Sequence, residues 1–126
     1  MKVLIVDDSQ IMRKIIIGVL KKLGVNETLE ATNGYEAVDE MNRHDDIGLV
    51  LMDWNMPVMN GLEAVVKIRE NGNKVPIVMC TTEAEKERVI EAIKAGSSDY
   101  LVKPFKPKDI QLKLNKYLGP CMDKII

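Results

Sequence analysis

A chain of 126 residues with 46% hydrophobic and 29% charged side chains has the apolar material for one core, and its net charge of -1 lacks the basic excess of a nucleic-acid binder. No apolar run approaches the roughly 20 residues of a membrane span, and the N-terminus lacks a basic region followed by a signal-type apolar stretch. Cys80 and Cys121 form no metal-type or disulfide cluster, so both read as free thiols. The expectation is one cytoplasmic, monomeric domain over residues 1–126, with neither nucleic acid nor membrane as a partner.

In chain order, Val3 to Val6 is a short apolar run that ends on Asp7-Asp8. Ser9 then caps a helix whose Ile11, Ile15, Ile16, Val19, Leu20 and Leu23 follow helical spacing, with Gly24 as its stop. Thr28 to Ala31 is a short strand. Asn33-Gly34 follows, and Asn33 with Glu36 resembles a capping box opening a helix that carries Ala37, Val38 and Met41. Leu49 to Met52 is a strand apolar on both faces, and it stops abruptly on Asp53. After Pro57 and Asn60-Gly61, a helix runs from Leu62 to about Glu70. Val75 to Cys80 is a fourth apolar run, ending on Thr81-Thr82. Thr82 and Glu85 read as a capping box for a helix with Val89, Ile90 and Ile93 inward and Gly96 as its stop. Tyr100 to Val102 is the fifth strand, ending at Lys103-Pro104. Pro107 suits the first turn of a last helix buried along Ile110, Leu114, Tyr117 and Leu118.

Strands alternating with helices through short turns predict an α/β fold, a doubly wound five-stranded parallel sheet with helices on both faces. Ligands bind outside the carboxyl ends of such strands. Those ends carry Asp7, Asp8, Asp53, Thr81 and Lys103. A lone carboxylate there is more often a turn cap. Three carboxylates together repel one another strongly unless a cation lies among them, and an all-oxygen set with room for water favours Mg²⁺. A metal, a lysine and a hydroxyl form a receptacle for a phosphoryl group, with Asp53 as the nucleophile that becomes an aspartyl phosphate.

These residues carry a resemblance. Asp7-Asp8, Asp53-Trp54-Asn55-Met56-Pro57 through Asn60-Gly61, Thr81 and Lys103-Pro104-Phe105 resemble the marks of response regulator receiver domains across essentially the whole chain. Trp54 to Pro57, Glu83 and Tyr100 are similar to the chemotaxis members of that family. The resemblance implies the flavodoxin-like strand order 2-1-3-4-5, Asp53 as phosphoacceptor, and Mg²⁺ held by Asp8, Asp53 and the Asn55 carbonyl, with Asp7 acting largely through water. It implies Thr81 and Tyr100 as a switch pair, Lys103 on the phosphoryl group with a cis Lys103-Pro104 bond, and Asn55, Thr82 and Glu83 around the access path. Where many members carry a small residue, this chain has Thr82, whose branched side chain crowds that path.

The implied function is a stand-alone signalling switch rather than an enzyme with an external substrate, phosphorylated by a sensor histidine kinase. Its output face would combine the fourth helix, Tyr100 and the last helix, where Lys103, Lys106, Lys108, Lys113 and Lys116 read as a basic patch for an acidic partner. That partner would be a flagellar motor switch protein or a phosphatase. A phosphorelay intermediate serving a histidine phosphotransfer protein is the alternative. Two other classes fit less well. A haloacid-dehalogenase-like phosphatase needs a second acid where this chain has Asn55, and a flavodoxin-like carrier would place a flavin phosphate against Asp7-Asp8-Ser9. His44 lies in a polar loop and reads as an exposed side chain.

Overall fold

The computed structural model describes residues 2–82 and 87–119. Five strands, β1 (Lys2–Val6), β2 (Thr28–Ala31), β3 (Ile47–Asp53), β4 (Ile77–Thr81) and β5 (Asp99–Val102), alternate with helices α1 (Gln10–Lys22), α2 (Gly34–Arg43), α3 (Gly61–Glu70), α4 (Val89–Ala95) and α5 (Pro107–Leu118). All strand pairs are parallel, and their order is 2-1-3-4-5. Among the described residues, no helix is long and apolar enough to cross a membrane.

Successive strand residues point to opposite faces, so each apolar run feeds two cores. Leu4, Val50, Met52, Ile77 and Met79 pack against α2 and α3 with the fully buried Trp54. Val3, Ile5, Leu49, Leu51 and Val78 pack against Ile16 and Leu20 of α1 and Ile110 and Leu114 of α5. Cys80 joins that second core, and burial pushes its thiol up to about 12, so it stays protonated and inert. Cys121 lies outside the described residues.

Several caps form as the sequence predicts. Ser9 accepts from Met12 N at 3.2 Å, and Gly24 and Gly96 take positive φ after α1 and α4; the Lys103-Pro104 bond is cis, as the family resemblance implies. Others differ. Asn33 accepts from Glu36 N, but the Glu36 carboxylate turns back to the amide and hydroxyl of Thr32 rather than closing a box on Asn33. The full capping box stands instead at Asn60 and Glu63. The expected Thr82–Glu85 box lies in part outside the described residues, and the described helix begins only at Val89. Two helices also bury narrower stripes than expected. Ile11 and Ile15 on α1, and Ile90 and Ile93 on α4, face solvent, because each helix meets the sheet along one line of residues, Ile16 and Leu20 in α1 and Val89 and Ala92 in α4. Tyr117 and Leu118 of α5 are half-buried, and His44 is half-buried with Nε2 3.2 Å from Glu40.

The β3–α3 loop is held tightly. Gly61 N donates to the Trp54 carbonyl, and Gly34 N, at the start of α2, donates to the Met59 carbonyl at 2.8 Å. A side chain at Gly61 would run into the Asp53 backbone, so this close approach requires glycine. Between these anchors Met59 N donates to the Pro57 carbonyl across Val58, which takes a φ of 69°. A β-branched residue with positive φ inside a three-residue turn is strained. Val58 is also 84% exposed, so no packing compensates it. Relief of roughly 1–3 kcal/mol of strain outweighs the roughly 0.5–1 kcal/mol entropic cost of glycine. Val58→Gly should therefore raise unfolding stability by about 1 kcal/mol in urea titration.

Asp99 ties β5 to α5. Its carboxylate meets Lys113 Nζ at 3.0 Å, Lys116 Nζ at 3.1 Å, the Tyr117 hydroxyl at 3.0 Å and the Tyr100 amide at 2.8 Å. Burial alone would raise its pKa. The donors, Lys113 and the Tyr100 amide foremost, overcome that and hold it down to about 2. A carboxyl depressed on folding contributes stability above its unfolded pKa near 3.9, and the contribution is lost as pH falls toward 2. Asp99→Asn should cost about 2 kcal/mol at neutral pH, and the cost should vanish between about pH 4 and pH 2 in thermal or urea unfolding.

Candidate functional site

The strand register brings the chemistry to one edge of the sheet. Val6 pairs with Met52, Asp53 with Cys80, and Cys80 with Leu101, so Asp7 leaves β1 at the height of Asp53 and Lys103 follows two residues past Leu101. The Lys103 ammonium lies 2.9 Å from Asp53 Oδ1 and 3.3 Å from Asp7 Oδ2. Asp7 is only 3% exposed, while Asp8 faces solvent at the mouth. One carboxylate oxygen from each of Asp7, Asp8 and Asp53 falls within 4.8 Å of the others.

The carboxylates are oriented as well as gathered. Asp7 Oδ1 accepts from the Ser9 amide at 2.9 Å, and Asp53 Oδ1 accepts from the Trp54 amide at 2.9 Å. Arg13 of α1 donates to the Asp7 carbonyl at 2.7 Å and is held from behind by Glu30. Charge balance is unequal across the site. Burial, with the field of Asp7 behind it, raises the Asp53 carboxyl above the usual carboxylate range in spite of Lys103. Burial also works against the charge on Lys103, but the hydrogen bond and field of Asp53, together with Asp7, lift its ammonium above the usual lysine value. One cation shared by two carboxylates is thus well satisfied, and Asp53 is not. Three hard oxygens with a deficit of positive charge fit a divalent cation such as Mg²⁺.

Thr81 is fully buried at the end of β4, and its Oγ1 has no hydrogen-bond partner among the described residues. A buried hydroxyl left unpaired is costly, and such groups are rare. Thr82 and Asn55 are exposed at the rim of the cleft. Tyr100 lies further off on β5, half-buried against the core that α2 and α3 cover, with Lys113 Nζ 5.9 Å from its ring centroid. Glu83 lies outside the described residues.

The expected basic patch does not stand as a row of open cations. Lys103 turns into the acidic cleft, and Lys113 and Lys116 are drawn onto Asp99, leaving Lys106 and Lys108 on the exposed start of α5. Sequence reasoning also missed Arg13 and Arg88; the Arg88 guanidinium lies 4.6 Å over the ring of Trp54, next to the strand that ends on Asp53. Neither arginine belongs to a motif, so only the packing of α1 and α4 reveals them.

A family model for the response regulator receiver domain matches residues 3–115. A chemotaxis protein CheY homolog of Campylobacter jejuni is 48% identical over 121 residues, covering 94% of this chain and 93% of that protein. Chemotaxis protein CheY1 of Helicobacter pylori is 46% identical over 94% of this chain and 98% of its own length. Among solved structures, chemotaxis protein CheY4 of Vibrio cholerae superposes with a TM-score of 0.82 at 35% identity, covering 92% of this chain and 97% of that one. The receiver domain of a sensor histidine kinase from Pseudomonas aeruginosa, solved with a magnesium ion coordinated in its active-site cleft, gives a TM-score of 0.82 at 33% identity, over 93% of this chain and 96% of that one. With its fold, its acidic cleft and its relatives in agreement, the chain belongs to the response regulator receiver domain family.

Proposed function

We propose that in the cytoplasm Asp53 accepts a phosphoryl group from the phosphohistidine of a sensor histidine kinase and so switches the α4–β5–α5 face of this chain for partner binding. The observation that carries this reading is the charge deficit of the cleft: a partly buried carboxylate raised in pKa, facing one shared ammonium, beside a buried hydroxyl with no partner among the described residues. A carboxylate oxygen of Asp53 attacks phosphorus, the N–P bond breaks, and its electron pair stays on the imidazole nitrogen, which is then protonated. Asp7, Asp8, Asp53 and the Asn55 carbonyl would hold Mg²⁺, which supplies charge neutralisation at the phosphoryl oxygens when bound.

The chain's own residues do the rest. Lys103, already within 3.3 Å of two carboxylates, pairs with a phosphoryl oxygen once Asp53 is esterified. Thr81 donates its orphan hydroxyl proton to another. Movement of Thr81 toward the phosphoryl group opens the space beside it to Tyr100, one strand away, which makes the two residues a switch pair. Thr82, exposed at the rim, narrows the path by which water reaches the aspartyl phosphate. The face so controlled carries the solvent-facing Ile90 and Ile93 of α4 and Leu112 of α5, apolar anchors for a partner. The similarity to chemotaxis proteins supports a flagellar motor switch protein or a phosphatase as that partner.

Incubation with acetyl phosphate should give acid-labile phosphate on the wild type only with Mg²⁺, and none on Asp53→Asn. Labelling of Asp53→Asn would remove Asp53 from the reaction. The metal-free stability should move in the opposite direction. A carboxyl whose pKa rises on folding loses stability as pH climbs through that pKa, so at neutral pH Asp53→Asn should unfold at a higher temperature than wild type without Mg²⁺. Added Mg²⁺ should then stabilise the wild type more than the variant.

Thr81→Val keeps the shape and removes the unpaired hydroxyl. The variant should gain about 1 kcal/mol of unfolding stability in the unphosphorylated state. It should also lose most of the phosphorylation-dependent gain in partner affinity, measured by titration of a motor switch peptide with and without acetyl phosphate. Unchanged coupling would move the switch elsewhere.

A further inference from the structure

An open groove of about 470 Å³ runs between β5 and α5, lined by Asp99, Tyr100, Phe105, Leu112, Lys113 and Lys116 and by Asp109, whose carboxylate is turned onto the Lys106 amide. Leu112 is 57% exposed and offers the groove an apolar wall, while Lys113 and Lys116, one turn apart on α5, supply two ammonium groups. Aromatic, aliphatic and cationic groups side by side suit a segment in which glutamate or aspartate alternates with apolar residues. Both ammonium groups are engaged already. Asp99 takes Lys113 on one oxygen and Lys116 on the other, and the Tyr117 hydroxyl joins the second. Its side chain is only 11% exposed, whereas that of Lys116 is 60% exposed, so the lysine reaches inward from solvent to the acid.

We propose that Asp99 is an internal competitor for the carboxylates of an acidic partner segment, holding Lys113 and Lys116 in the geometry that such a segment would need and lowering its affinity until the exchange is made. The exchange conserves ion pairs. A partner carboxylate gains only what Asp99 gives up, so affinity at this face depends on apolar contacts with Leu112, Phe105 and the Tyr100 ring more than on charge. The same arrangement makes α5 responsive to Tyr100. The Tyr100 amide donates to Asp99, and Lys113 sits 5.9 Å from its ring, so a displaced ring disturbs the lysine that Asp99 holds. This proposal rests on the reading of the α4–β5–α5 face as the output surface.

The test uses unphosphorylated full chain and a labelled synthetic peptide alternating glutamate and leucine, followed by fluorescence anisotropy, with a glutamine-for-glutamate peptide as control. Asp99→Asn keeps an acceptor for the Tyr100 amide and removes the charge. It should bind the acidic peptide roughly fivefold more tightly than wild type at low ionic strength, the worth of one or two rim ion pairs. The gain should shrink as salt is added, be absent with the control peptide, and disappear when Lys113→Gln and Lys116→Gln are combined with Asp99→Asn. A purely structural carboxylate would yield a less stable protein with equal or weaker binding, and that result overturns the proposal. So does an Asp99→Asn protein that binds no acidic peptide. Asp99→Ser, smaller and neutral, serves in its place if Asp99→Asn does not fold. Since phosphate plays no part, failure of Asp53 to accept phosphoryl would show as missing acid-labile phosphate and leave this measurement standing.

Discussion

One ammonium set against two buried or half-buried carboxylates governs this molecule. Lys103 reaches Asp53 and Asp7 from the turn after β5, and both acids come from other strands, so the ion cluster exists only when β1, β3 and β5 are in register. The cluster is also incomplete by design of its composition. Replacing it with apolar residues of similar volume would cost little or even stabilise, as for many buried ion pairs. Its presence fits chemistry better than stability: a partly desolvated carboxylate has little hydration to shed, and a half-neutralised cleft would suit an anionic group once a cation joined it.

Much of the frame follows from residue periodicity alone. Four- to six-residue apolar runs ending at Asp7, Asp53 and Thr81 are short for helices and read as strands buried on both faces, which calls for helices above and below. The two cores obey this alternation, with Leu4 on one side and Val3 and Ile5 on the other. Strand order came from family resemblance, since right-handed crossovers permit more than one order. Cap chemistry was legible where it is local, as at Ser9 with Met12, and illegible where a neighbour competes, as at Glu36, where the Thr32 amide and hydroxyl outbid the Asn33 amide.

What periodicity could not reveal has a common cause: it lies between elements. Counting lysines on α5 suggests an open cationic face, but Asp99 is 14 residues from Lys113 along the chain and 3.0 Å from it in space. Charge patterning within a helix carries no information about a carboxylate on the adjoining strand. The outward Ile11, Ile15, Ile90 and Ile93 follow the same logic. Apolar identity proposes burial, whereas the angle at which a helix meets the sheet decides it, and only about one stripe per helix is covered. Exposed isoleucines on α4 are then informative, since nothing among the described residues covers them.

The distribution of unmet demands gives the molecule its direction. At the N-terminal edge of the sheet Ser98 Oγ accepts from Ile77 N, and Arg69 donates to the carbonyls of Gly96 and Asn73, while the buried Ser97 hydroxyl has no partner among the described residues. At the C-terminal edge the buried Thr81 hydroxyl has no partner among the described residues, Asp53 carries a raised pKa, and Val58 holds a strained φ in the loop between β3 and α3. Each costs stability in the resting state, and a marginally stable domain tolerates few such costs. The nearness of Thr81 and Asp53 at that edge suits a switch, because a ligand shifts an equilibrium only through groups it satisfies better in one state than in the other. A phosphoryl group on Asp53 would meet the needs of Thr81 and Lys103 together, and the free energy released there would be available to repack Tyr100 and, through the Asp99 carboxylate, the face of α5.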